Sequence, residues 1–186
     1  MLDYRQPGVR PAPRDHQWTQ AAAIPAVRVR LDPLRAEDAA EMVIVLSGEE
    51  LYTFTGGAPP SADELHLRFL NQVHGSSADN TEGWLNWILR RRDTGEAVGT
   101  VQATMTDTGM REVELAWVVG RANQGCGYAT EGALAMRDWL VARRSDHLHA
   151  YIHDDNHASQ TVARRLGMGA TGLRRDFETR WSLAAA

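Results

Sequence analysis

No lysine occurs anywhere in the 186 residues, so all 20 basic side chains are arginines, and 24 acidic residues leave a formal net charge of -4 at pH 7. A chain with no surplus of positive charge is not expected to bind nucleic acid. The missing lysines fit the coding bias of a high-GC genome. Cysteine is nearly absent too: Cys126 stands alone, which excludes an intrachain disulfide and suits a reducing compartment. No run of 18 apolar residues is present, so no membrane-spanning helix is expected. Met1 to Gln20 carries Pro7, Pro11 and Pro13 among arginines and lacks an apolar h-region, so it does not read as a secretory signal. A cytoplasmic location is expected.

What is present suits one globular domain. Residues of the AVILMFWYC set make up 43% of the chain, and a domain of this length buries roughly 70% of its unfolded surface. Residues 1–26 have neither helical nor strand period and read as an N-terminal extension of unknown role, with the domain proper at 27–186. From Val27, the alternation of Val27, Val29 and Leu31 with Arg28 and Arg30 predicts a half-buried strand. Two helices follow. The first spans about Arg35 to Ser47, and the second opens on Ser61 and Glu64, a capping box, with Leu65, Phe69 and Val73 on one face.

Three strands are then predicted, Trp84 to Leu89, Ala97 to Met105 and Val113 to Val119, joined by Asp93-Thr94-Gly95 and Asp107-Thr108-Gly109. Tight turns of this kind make an antiparallel meander. A glycine-rich segment leads into a helix from Tyr128 to Ala142, with Ala129, Ala133, Met136 and Leu140 along one face. A strand at Leu148 to Ile152, a helix from Asn156 to Leu166 and strands at Ala170 to Leu173 and Phe177 to Leu183 complete the order. Helices and strands in this order give an α+β domain rather than a βαβ repeat.

Gln124-Gly125-Cys126-Gly127-Tyr128-Ala129 lies directly after a strand and before a helix. Glycine lets backbone approach a ligand closely, and free amides at a helix N-terminus suit phosphate oxygens. The segment lacks both G-x-x-x-x-G-K-[ST] and G-x-G-x-x-G, which argues against a P-loop and a Rossmann site. The bland reading is a turn that merely starts a helix.

This segment resembles the acetyl-CoA loop of the GNAT N-acetyltransferases, Q/R-x-x-G-x-G/A, through Gln124, Gly127 and Ala129. Glu114 to Val119, Gly125 to Glu131, and Asn156-His157-Ala158-Ser159 before Leu166-Gly167-Met168 resemble the branch of ribosomal-protein alanine acetyltransferases (RimJ/RimL-like). The resemblance covers roughly Leu31 to Leu183. It implies the GNAT fold, a mixed, mostly antiparallel central sheet flanked by helices, with acetyl-CoA as co-substrate and no metal. By the same resemblance, Gly125, Cys126, Gly127, Tyr128 and Ala129, with Gln124, would hold the phosphates. Trp117, Val118 and Val119 would pair with the pantetheine as an extra strand, and Asn156 would hydrogen-bond it, although Asn156 also reads as a plain N-cap.

Transfer of an acyl group to an amine needs a neutral amine, a stabilised oxyanion and a proton for the thiolate; free amines have pKa values of about 8 to 10. Glu114 matches the family's frequent base, against the alternative of a strand carboxylate that binds the substrate cation or pairs an arginine. A backbone amide near Val118 is the candidate oxyanion donor. Many members carry a tyrosine seven residues after the asparagine, where this chain has Ala163. Ser159 is left as the candidate acid, or as a hydroxyl that caps its helix or touches a phosphate.

His147, His149, His153 and His157 with Asp154 and Asp155 match no standard zinc spacing. His153 or His157 can instead line an acceptor site. Direct transfer in the family leaves Cys126 no nucleophilic role. Glu49, Glu50, Trp84, Trp87, Asp107 and Glu112 either form an acidic, aromatic acceptor cleft or are ordinary surface and core. The function expected is acetyl-CoA-dependent N-acetylation of a primary amine, on a small molecule such as an antibiotic or on a peptide or protein N-terminus. The alternative is a non-catalytic acyl-CoA-binding or assembly protein. No nucleic-acid or membrane partner is expected, and a homodimer is open.

Overall fold

The meander read from the sequence is the centre of the sheet. In the computed structural model, which describes residues 18–106, 112–143, 145 and 147–183, β3 is Glu82–Arg91, β4 is Ala97–Thr106 and β5 is Glu112–Val119. They pair antiparallel in sequence order. The turn before β4 closes with Gly95 donating to the Arg91 carbonyl at 2.9 Å. The other turn, with Asp107, lies outside the described residues.

On one side β2 (Val29–Pro33) pairs with β3, and β1 (Ile24–Pro25) with β2; on the other come β6 (His147–His153), β8 (Glu178–Leu183) and β7 (Met168–Arg175). Among the described residues, the eight strands follow the order β1-β2-β3-β4-β5-β6-β8-β7, and only the β5–β6 pair is parallel. This is the mixed, mostly antiparallel sheet expected from the resemblance.

Helices cover both faces. α1 (Ala39–Val45) and α2 (Ala62–Val73) pack on one face through Met42, Leu46, Leu65 and Phe69, against Ile88 and Ala97. α3 (Tyr128–Val141) and α4 (His157–Arg165) cover the other through Ala133, Met136, Leu140 and Ala163, against Leu85, Trp87 and Leu115. Burying each of the leucine, isoleucine, methionine and phenylalanine side chains contributes about 1.5–3 kcal/mol. Ser61 and Glu64 form the capping box as expected, Ser61 N donating to Glu64 Oε2 at 2.8 Å and Glu64 N to Ser61 Oγ at 3.3 Å.

Three expectations are corrected. Val27 is exposed because the chain reverses there, with Ala26 N donating to Val29 O at 3.0 Å, so only Val29 and Leu31 face inward. Val73 is 51% exposed; residues four apart drift about 40° around a helix axis per step, and by the last turn of α2 the stripe has rotated off the sheet. Packing also begins before Val27: Ile24 is in the core, Trp18 is buried, and Trp87 Nε1 donates to Ala22 O at 2.8 Å. Among the described residues no helix is long and apolar enough to cross a membrane.

Candidate active site

β5 and β6 are neighbours that part. They pair at Glu112–His147, Val113–Leu148 and Glu114–His149. β5 keeps β4 as far as Val119 opposite Gly99, and β6 keeps β8 as far as His153 opposite Glu178. Among the described residues, the β5 edge from Leu115 to Val119 therefore has no strand beside it on the β6 side. Peptide groups along such an edge can pair with an extended ligand. Trp117, Val118 and Val119 lie on it, the first two half-buried and the third buried.

The edge runs straight into the glycine loop. Gln124 Nε2 donates to Val119 O at 3.1 Å, which ties the loop to the strand end. Gly125 and Gly127 have φ of +75° and +81°, a region where a Cβ costs roughly 1–2 kcal/mol. The Gly127 carbonyl accepts the first helical bond, from Glu131 N at 3.0 Å. Tyr128, Ala129 and Thr130 form the opening turn, so their amides have no earlier carbonyl within α3. Donors and the positive end of a 14-residue helix thus converge where the free edge stops. Cys126 is exposed in this loop.

Arg28 was not among the residues expected at this site. Its Nη1 donates to Cys126 O at 2.9 Å, its Nε to Glu131 Oε2 at 2.8 Å, and its guanidinium lies 5.2 Å from the Tyr128 ring centroid. Glu131 also accepts the amides of Arg28 and Val29 at 2.5 and 3.0 Å. Burial pushes the Glu131 carboxyl up, but those amides and the Arg28 guanidinium outweigh it and hold the pKa below its ordinary 4.5. The strand alternation placed Arg28 on the solvent side of β2, and nothing in that pattern says that α3 begins there.

Strand parity sorts the remaining candidates. Leu115 and Val119 belong to the α3 face, whereas Glu114, Ala116 and Val118 point to the α1/α2 face. Trp84, Thr104, Glu114 and His149 form one row across four strands. Arg175 Nη1 and Nη2 donate to Glu114 Oε2 and Oε1 at 3.2 and 3.0 Å, so the arginine-pairing alternative for this carboxylate is present. His149 Nε2 is 3.8 Å from Glu114 Oε2. Burial, helped by the charge of Arg180, pushes the His149 pKa below 6.5 against the pull of Glu114 and Glu112. His153 accepts from Asp155 N at 3.1 Å through Nδ1, and its ring lies between Phe54 and Phe177, with centroids at 5.2 and 6.3 Å. Among the described residues no group of three or more His, Cys, Asp or Glu side chains could hold a metal ion.

Asn156 caps α4: its Oδ1 accepts from Ser159 N at 3.1 Å. Ser159 is half-buried in the first turn, and Ala163 is fully buried one turn on. Among the described residues, the acidic and aromatic candidates do not gather into one cleft. Trp87 is fully buried on the opposite face, edge-on to Trp139, because its odd separation from Trp84 turns it through the sheet. Glu112 is taken by Arg180 at 2.7 Å, Trp84 Nε1 donates to Glu82, and Glu50 lies 3.7 Å from Arg121. Glu49 is exposed, and Asp107 lies outside the described residues.

Residues 28–169 of the chain match the model of one family, described as the Acetyltransferase (GNAT) domain. The chain belongs to the GNAT acetyltransferases. The family transfers acetyl groups from acetyl-CoA. Solved GNAT structures share the fold. The RimL ribosomal-protein alpha-N-acetyltransferase in complex with coenzyme A is 14% identical with a TM-score of 0.74, covering 87% of this chain and 96% of its own. A GNAT acetyltransferase from Bacillus anthracis is 15% identical with a TM-score of 0.71 and the same coverage. A putative ribosomal-protein-serine acetyltransferase from Vibrio cholerae is 18% identical with a TM-score of 0.68, covering 92% of this chain and 98% of its own. No curated protein matches this GNAT chain closely enough to count as a relative.

Proposed function

We propose that this GNAT protein acetylates a primary amine by direct transfer from acetyl-CoA. The observation that carries the reading is the free β5 edge from Leu115 to Val119 running into the left-handed Gly125 and Gly127 at the start of α3. Such a site fits an extended arm ending in a pyrophosphate. Bound there, acetyl-CoA would supply an activated acyl group as a thioester.

The chain's own residues divide the remaining work. The amides from Gly125 to Ala129 bind phosphate oxygens, and Arg28 and Gln124 position that loop. Trp117, Val118 and Val119 align the pantetheine, and a Val118-region amide donates to the oxyanion. Glu114, on the opposite face from α3, takes the proton of the acceptor amine, through water while Arg175 occupies its oxygens. The Ser159 hydroxyl, in the first turn beyond the Asn156 cap, supplies a proton to the departing thiolate.

A second reading, an acyl-CoA-binding protein without acceptor chemistry, is favoured by one observation: both Glu114 oxygens are already engaged by Arg175. Calorimetric acetyl-CoA affinity measured beside CoA release with a panel of amines separates the two. Tight binding together with amine-dependent CoA release supports the enzyme; tight binding with no release from any amine supports the second reading.

A further inference from the structure

On the α1/α2 face, beside Val118, the sheet and helices enclose a cavity of about 200 Å³. Leu65 and Phe69 form part of its apolar wall, and its polar lining includes Arg68, Gln72, Asn86 and Gln102. Asn86 is only 9% exposed, and its Nδ2 is buried without a hydrogen-bond partner; Gln72 Oε1 is also buried and unpartnered. Buried polar groups are nearly always satisfied, by ordered water or by a ligand, and a donor and an acceptor beside one cavity suit a ligand that completes both. The charge is one-sided. Arg68 lines the cavity, and among the described residues no acidic side chain does. Val118 belongs both to this lining and to the free β5 edge, so the cavity adjoins the edge along which transfer is proposed.

We infer that this cavity selects a peptide-type acceptor bearing a carboxylate, in preference to a polycationic amine; the inference rests on the acetyltransfer reading. A peptide group offers a carbonyl to Asn86 Nδ2 and an N–H to Gln72 Oε1, and a carboxylate offers Arg68 a charge-assisted, two-pronged hydrogen bond. A polyamine offers no acceptor to Asn86 and brings like charge to Arg68. Among the described residues, two of the carboxylates that could draw a polycation, Glu112 and Glu50, face Arg180 and Arg121 instead.

The test uses the full chain with acetyl-CoA, two C-terminally amidated tripeptides that differ only in glutamate or lysine after an N-terminal alanine, and spermidine. The glutamate peptide should show kcat/KM about tenfold or more above the lysine peptide and spermidine. Arg68→Glu should reverse that order while calorimetric acetyl-CoA affinity stays unchanged. Gln72→Leu should raise KM for both peptides with little change in kcat; Asn86→Leu should do the same, read only if its circular-dichroism melt shows a folded protein. Wild-type preference for lysine or spermidine, or an unchanged preference in Arg68→Glu, overturns the subsite while leaving acetyltransfer standing. Absence of acetyl-CoA binding overturns both.

Discussion

Arg175 grips Glu114 with both terminal nitrogens, 3.0 and 3.2 Å from the two carboxylate oxygens, from the far end of β7. The same guanidinium lies 4.0 Å from the Tyr151 ring centroid, and its bonds to Glu114 lead the causes that raise its own pKa. A carboxylate offered as a base is therefore also one half of an ion pair. If it takes the amine proton, Glu114→Gln should lower kcat/KM on the order of 10²-fold at neutral pH and recover partly at high pH, where free amine is abundant. A wild-type pH profile at undiminished height would assign Glu114 to structure alone and pass the base role to a residue such as His153 or to ordered water.

The cofactor loop makes a second expectation. Gly127→Glu places a Cβ at φ +81° and 3.3 Å from Arg28 Nη2, with a carboxylate where phosphates are to bind. Acetyl-CoA affinity should be lost in a folded protein; unchanged calorimetric affinity would remove the loop from the site.

Arg28→Ala deletes the bonds to Cys126 O and Glu131 without removing any loop amide. KM for acetyl-CoA should rise several-fold while kcat at saturation changes little. A fall in kcat with unaltered KM would mean that Arg28 does not position the loop.

Ser159→Ala should reduce kcat without the high-pH recovery expected for Glu114→Gln, since a more basic solution does not relieve the thiolate's need for a proton. Asn156→Ala, by contrast, deletes the cap on α4 and should cost about 0.5–2 kcal/mol of stability, visible as a lower melting temperature.

His149 sets a pH dependence of stability. Burial makes its folded pKa lower than the 6.5 of the unfolded chain, so between the two values the unfolded state holds more protons. Stability then rises with pH through that window and falls as pH drops below about 6.5. Urea midpoints measured from pH 7.5 downward should decline, and His149→Gln should flatten the decline. An equally steep slope in the variant would place that acid sensitivity outside His149; Glu112, held below 4.5 by Arg180, and Glu131, held there by the Arg28 and Val29 amides and the Arg28 guanidinium, lose their contribution only at lower pH.

Local chemistry made much of this protein legible from its sequence. Ser61 and Glu64 announce a helix start because a cap is satisfied within one turn, and the alternation in β3 to β5 marks a meander because strand parity is a two-residue property. The glycine loop before Tyr128 was readable for the same reason: left-handed backbone and a helix start are local demands, met at Gly125 and Gly127. Partnership across the chain was not legible. The pairing of Glu114 with Arg175 spans 61 positions and that of Arg28 with Cys126 spans 98, and no residue pattern encodes which distant guanidinium arrives. Trp87 read as a possible acceptor-site aromatic because composition ignores faces; the sheet turned it into the core and left Trp84 in the same cross-strand row as Glu114, with Thr104 between them. The cavity with Asn86 and Gln72 is assembled from α2, β3, β4 and β5, so its open hydrogen-bonding groups are a product of packing between segments far apart in sequence, which no local pattern encodes.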